Sequence, residues 1–152
     1  MKEVDISTEQ VEPPDWLPDL KRVASATFGR VGLSSYDIRV LLCNNDRITA
    51  LNREFRGQDL STDVLSFVDE TPTEGASVSG DLAISLAAVD ENAREFGVQA
   101  REELLRVFVH GLLHIAGFEH DGVKIGSPEA SSNEMLTLQE QLVTQLREEI
   151  QD

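Results

Sequence analysis

The spacing of apolar residues divides the chain into alternating helical and extended stretches. Between 18 and 31, Leu20, Val23, Ala24, Thr27 and Phe28 recur at helical spacing, and Gly32 fits the stop. YDIRVLLC at 36–43 has the character of a strand. From Asp46 to Arg56 the helical spacing returns, with Ile48, Leu51 and Phe55 expected inward and Gly57 ending the helix. TDVLSFV at 62–68, rich in β-branched and aromatic residues, predicts a second, central strand, and GDLAISL at 80–86 a third. Residues 69–79, with Pro72, Gly75 and several hydroxyl side chains, read as a surface loop between them.

Helices are expected at about 87–96, stopped by Gly97, and at about 100–116, where Glu102 and Glu103 suit the N-terminus. The second of these turns apolar nearly all round, through Leu104, Leu105, Val107, Phe108, Val109, Leu112, Leu113 and Ile115, which marks a buried helix. A polar loop is expected at 119–133. Ser131 and Glu134 then have the spacing of a capping box, and Met135, Leu138, Leu142 and Leu146 form a core-facing stripe on a last helix. The pattern predicts one α+β domain over 1–152, a small mixed β-sheet packed by about five helices, with residues 1–14 a loosely ordered leader set off by Pro13-Pro14.

Composition narrows the classes. A chain of 152 residues with 40% hydrophobic content can build one core. The start, MKEVDISTEQVEPPDW, has no apolar run, so neither a secretory signal nor a membrane anchor is expected. The one cysteine, Cys43, cannot form an internal disulfide and reads as a small core residue. A cytoplasmic location follows as an expectation. The net charge of −15 argues against general nucleic-acid binding, and DNA is not expected as a partner. Residues 20–57 run against that trend, with seven basic and three acidic residues, a net of +4 against −19 for the rest. Two readings fit: solvated helix faces, or a local basic surface on an acidic body.

All three histidines fall in HGLLHIAGFEH, 110–120. His110 and His114 are i and i+4, one turn apart on one face of the buried helix, so two imidazoles can share a metal. Gly117 can turn the chain back so that His120 completes a facial set. Three neutral imidazoles suit zinc and leave a fourth position open, as catalytic sites do, whereas structural zinc is usually closed by four ligands. Such an ion lowers the pKa of its bound water toward neutrality. One zinc per chain is therefore expected. The spacing also matches metzincin peptidases, but those need Glu directly after the first histidine as general base, and here that position is Gly111. Close helix packing and room for a bulkier substrate are both open readings of Gly111.

LNREFRGQDLSTDVLSF at 51–67, GDLAIS at 80–85 and HGLLHIAGFEH at 110–120 together resemble the YbeY family of bacterial single-strand endoribonucleases and ribosomal RNA maturation factors, over roughly 36–146. The resemblance implies a zinc-type metal on His110, His114 and His120, and places the family's functional arginine at Arg56. It implies processing of the end of small-subunit ribosomal RNA and ribosome quality control, with single-stranded RNA, the ribosome or ribosomal proteins as partners. The sequence departs at Glu119, where the family usually has Asp, and a longer carboxylate can alter support of the neighbouring ligand. Read alone, Arg56 is a helix-terminal charge favoured by the dipole; the resemblance makes it a phosphate contact. Asp63, Asp81 and Asp121 are candidate general bases that no spacing rule separates. The competing readings are a metzincin-like metallopeptidase, disfavoured by Gly111, and a ribosome-assembly binding protein with a structural metal.

Overall fold

A computed structural model describes residues 2–69, 77–118 and 134–149. In chain order the elements are β1 (Lys2–Thr8), α1 (Leu20–Arg30), β2 (Tyr36–Cys43), α2 (Asn45–Arg56), β3 (Val64–Val68), β4 (Val78–Ser85), α3 (Leu86–Phe96), α4 (Ala100–Ile115) and α5 (Glu134–Glu149). The four strands make one mixed sheet in the order β1-β2-β4-β3. The first three are parallel, and β3 is antiparallel to β4. This is the expected α+β architecture.

Alternation in the strands sorts the two faces of the sheet. Val4, Ile38, Val40, Leu42, Leu82 and Ile84 face α1, α3, α4 and α5 in the main core. Leu41, Cys43, Leu65, Phe67 and Ala83 face the other way, where α2 lays Ile48 and Leu51 against them. Each helix start has a local cause. The side chains of Asp19, Asn44 and Ser85 accept the backbone N–H three residues on, satisfying one otherwise orphaned donor in α1, α2 and α3. Gly57 ends α2 with φ 68°, a left-handed conformation that glycine adopts at low cost. α4 is the central helix, packed against α1, α3, α5, β3 and β4. Its Leu104, Leu105, Phe108, Val109, Leu112, Leu113 and Ile115 are fully buried.

Four expectations need correction. Lys2–Thr8, expected to be a loose leader, form an edge strand paired in parallel with β2 in register Val4↔Ile38. TDVLSFV is an edge strand rather than a central one, because its antiparallel pairing puts it beyond β4, a choice that chain order does not encode. β4 begins at Val78, inside the expected loop. Phe55, expected inward, is 61% exposed, its ring meeting that of Phe67 edge-on at 5.5 Å on the open face of the sheet. The buried residue on that turn is Asn52, whose side-chain N–H donates to the Leu60 carbonyl at 2.9 Å.

Within the basic stretch 20–57, three of the seven bases are matched by acids. Arg39 pairs with Asp37, Asp69 and Asp81, Arg47 with Glu9, and Arg53 with Asp59. Ser131, of the expected capping box, lies outside the described residues, as does the expected loop 119–133. No helix among the described residues is long and apolar enough to cross a membrane.

Candidate metal centre

α4 carries the two described histidines on the one strip of its surface that is not fully buried. The helical repeat stacks His110 over His114, with ring centroids 4.7 Å apart and planes tilted by 76°. Their Nε2 atoms face one another at 3.1 Å. Two nitrogens bound to one zinc at about 2.0–2.1 Å in tetrahedral geometry stand about 3.3 Å apart, so this spacing fits a shared ion with little adjustment. His120, Asp121 and Glu119 lie outside the described residues, and among the described ones no third ligand joins the pair.

Both histidines line a cavity of about 470 Å³ at the β3 edge, together with Asn52, Arg56, Val64 and Ser66. The structure thus brings Arg56 and the two histidines to one cavity. Arg56 reaches it around the edge of the sheet. Its Nη2 donates to the Ser66 carbonyl at 2.5 Å, and its guanidinium carbon lies 5.5 Å from the centre of the Phe67 ring. Backbone groups on an edge strand need partners, and Arg56 supplies one here. A guanidinium carries five N–H donors in a planar fork, so this bond uses only part of its capacity.

The general-base candidates separate. Asp81 lies on the opposite face of the sheet from the histidines, and both its oxygens accept from Arg39, at 2.8 and 3.1 Å. Asp63 precedes the cavity-lining Val64 and is held by the Asn92 side chain, which donates to it at 3.2 Å. Asp121 lies outside the described residues.

Gly111 is resolved by packing. An added Cβ would stand 2.7 Å from Leu82 Cδ2 and 3.3 Å from Val64 Cγ2. The site lies between α4 and the sheet, so close approach of helix and sheet accounts for the glycine. A glutamate here would have to push the buried Leu82 side chain aside, and the peptidase reading is not favoured.

Gln139 was not legible as a site residue. It is buried on α5, and its side-chain oxygen lies 2.7 Å from His110 Nδ1. The available signal was a polar residue in line with Met135, Leu142 and Leu146 at helical spacing. The Gln139 amide nitrogen donates to Glu140 at 3.1 Å, and Arg106 grips Glu140 through two bonds of 2.9 and 3.1 Å. Arg106 also donates to Glu103 at 3.2 Å. Burial raises the Glu103 carboxyl above the usual range, against the pull of Arg106. Burial pushes Glu140 the same way, but the hydrogen bonds from Arg106 and Gln139 outweigh it and leave this carboxyl lowered. Cys43, on the sheet face under α2, has its thiol pushed up to about 11 by burial, which keeps it protonated and unreactive.

A family model described as Endoribonuclease YbeY matches residues 3–147. An endoribonuclease YbeY of Treponema pallidum is 35% identical over 151 residues, covering 95% of this chain and 90% of its own. One from a Sulfurihydrogenibium species is 37% identical over 128 residues, covering 84% and 81%. A solution structure of a Thermotoga maritima protein superimposes with a TM-score of 0.62 at 30% identity, over 97% of this chain and 93% of that one.

Proposed function

The chain belongs to the endoribonuclease YbeY family, and from that premise we propose that it cleaves single-stranded RNA with one zinc-type ion held by His110, His114 and His120, Arg56 contacting the substrate phosphate. The observation that carries this reading is the 3.1 Å approach of the two Nε2 atoms in a cavity that Arg56 also lines. A bound zinc ion would supply Lewis acidity and a hydroxide-like water near neutral pH. The chain's own groups do the rest. His110 and His114 offer two nitrogens on one face of a helix whose other faces are locked in the core, so they need little reorganisation. Arg56, anchored on Ser66 and Phe67, is held where a planar donor fork can take two phosphate oxygens as charge builds on them.

The substrate we propose is ribosomal RNA, in maturation of the small-subunit RNA end and in ribosome quality control, in the cytoplasm and in contact with ribosomal proteins. The test is elemental analysis of chelator-free protein paired with cleavage of a single-stranded RNA and its duplex form. About one equivalent of metal is expected, with cleavage of the single strand lost on chelation and restored by zinc. Full cleavage by metal-stripped, folded protein would overturn the metal reading. Loss of folding on stripping, with no cleavage at any metal load, would favour an RNA- or ribosome-binding protein with a structural ion.

A further inference from the structure

The polarity of the hydrogen bonds behind His110 can be traced outward from the arginine. Arg106 can only donate, and a carboxylate can only accept. Glu140 therefore receives the Arg106 fork at 2.9 and 3.1 Å and the Gln139 amide N–H at 3.1 Å. That bond fixes the orientation of the Gln139 amide, because the flipped amide would set its carbonyl against the carboxylate. Its oxygen is left facing His110 Nδ1 at 2.7 Å, and because an amide oxygen can only accept, this contact favours the ring form with its proton on Nδ1. In that form the neutral ring bears its lone pair on Nε2, the atom that faces His114.

We propose that Gln139 is a positioning residue for the histidine pair, its side-chain oxygen holding His110 in the Nδ1–H form so that the Nε2 lone pair points into the cavity. The proposal rests on the metal reading above for its purpose, but not for its geometry. Gln139 is a suitable device because it is 7% exposed, so water cannot compete for the bond. It also belongs to α5, so the last helix, remote in sequence, sets the state of a side chain on α4. Glu140 and Arg106 act one step further out by fixing which way the amide faces. A histidine that donates its second nitrogen to a fixed acceptor has both its tautomer and its ring orientation set before any cation arrives.

The experiment reads the ring nitrogens directly. Long-range proton–nitrogen correlation spectra of the full-length, metal-free protein, with His110 assigned by its loss in His110→Ala, report which nitrogen is protonated. The wild type is expected to show His110 protonated at Nδ1. Gln139→Leu should shift that proton wholly or partly to Nε2 and weaken zinc binding, measured against a competing chelator, by about 10- to 100-fold. Gln139→Glu, which keeps an acceptor oxygen there, should retain the Nδ1–H form. A wild-type His110 protonated at Nε2 would overturn the assignment even if no variant folds. So would a folded Gln139→Leu that keeps both the Nδ1–H form and wild-type zinc affinity. An Nδ1–H His110 in a protein that takes up no zinc would uphold the positioning and sink the metal reading instead.

Discussion

Two arginines, one on each side of the sheet, hold three carboxylates apiece. Arg39 sits on the open face with Asp37, Asp69 and Asp81, its side chain 40% exposed. Arg106 sits on α4 with Glu102, Glu103 and Glu140, 26% exposed, and its Glu103 partner is 4% exposed. The charge count is the same and the consequence is not. Around Arg39 each group still reaches solvent, so Coulombic gain is screened and ends in a surface patch. Around Arg106 one carboxylate is out of water, the geometry is fixed by packing, and the network ends on a histidine ring. Environment decides whether a cluster of charges stays a solvated rim or fixes the side chains around it.

The comparison breaks most sharply at the histidines. His114→Ala should lose the metal equivalent and reduce RNA cleavage to background while circular dichroism stays native, since that side chain is not fully buried. Arg39→Met, on the other face, should leave metal content unchanged. A full metal equivalent in His114→Ala would remove it from the ligand set. Next in size is Arg56→Ala, expected to lower turnover at saturating RNA about a hundredfold with metal content unaltered, as loss of one charged transition-state donor typically does. Arg56→Lys should recover only part of that, lacking the planar fork. Wild-type turnover in Arg56→Ala would leave the side chain as a support for Ser66 alone.

Stability should separate the two arginines as well. Arg106→Met leaves Glu103 buried without its cation and should cost about 2–4 kcal/mol in urea unfolding. Arg39→Met removes partners that water can replace and should cost less than about 1 kcal/mol. Equal costs would mean that the two networks are equivalent and that burial does not distinguish them.

What the sequence revealed follows the same division. Periodicity found α1 through Leu20, Val23, Ala24, Thr27 and Phe28, all buried in the structure, because a helix packed along its length writes its face into local spacing. It found the i, i+4 histidines for the same reason. It missed β1, where KEVDIST has one buried residue, Val4, and the strand exists only through pairing with β2. It misplaced Phe55, since local spacing does not record how much of a helix face the sheet covers. It passed over Gln139, because the ring that gives this amide its purpose is 29 residues away. Asp81 looked equal to Asp63 in the sequence, and only alternation within β4 put it on the far face.

The smallest effect sharpens the comparison through pH. Glu103 has a carboxyl raised above 4.5, chiefly by burial, so the native state binds its proton more tightly than the unfolded chain does. Its contribution to stability is complete below the unfolded value and is lost as pH rises through the folded one, so it gives a downward slope above about pH 4.5. Asp69, on the open face, has the opposite sign. The Ser79 hydroxyl first, and Arg39 second, lower it below 3.8, so its contribution is present above that value and is lost as pH falls. Asp69 is 44% exposed, which screens its share to about a few tenths of a kcal/mol. Glu103→Gln should therefore gain on the wild type as pH rises above about 4.5, whereas Asp69→Asn should lose ground only as the wild type leaves acid. Urea midpoints at several pH values, with the denaturant slope unchanged, measure both. Parallel profiles for Glu103→Gln and wild type would mean that the Glu103 proton is no more tightly held in the folded protein, and that the Arg106 network is as open to solvent as the one around Arg39.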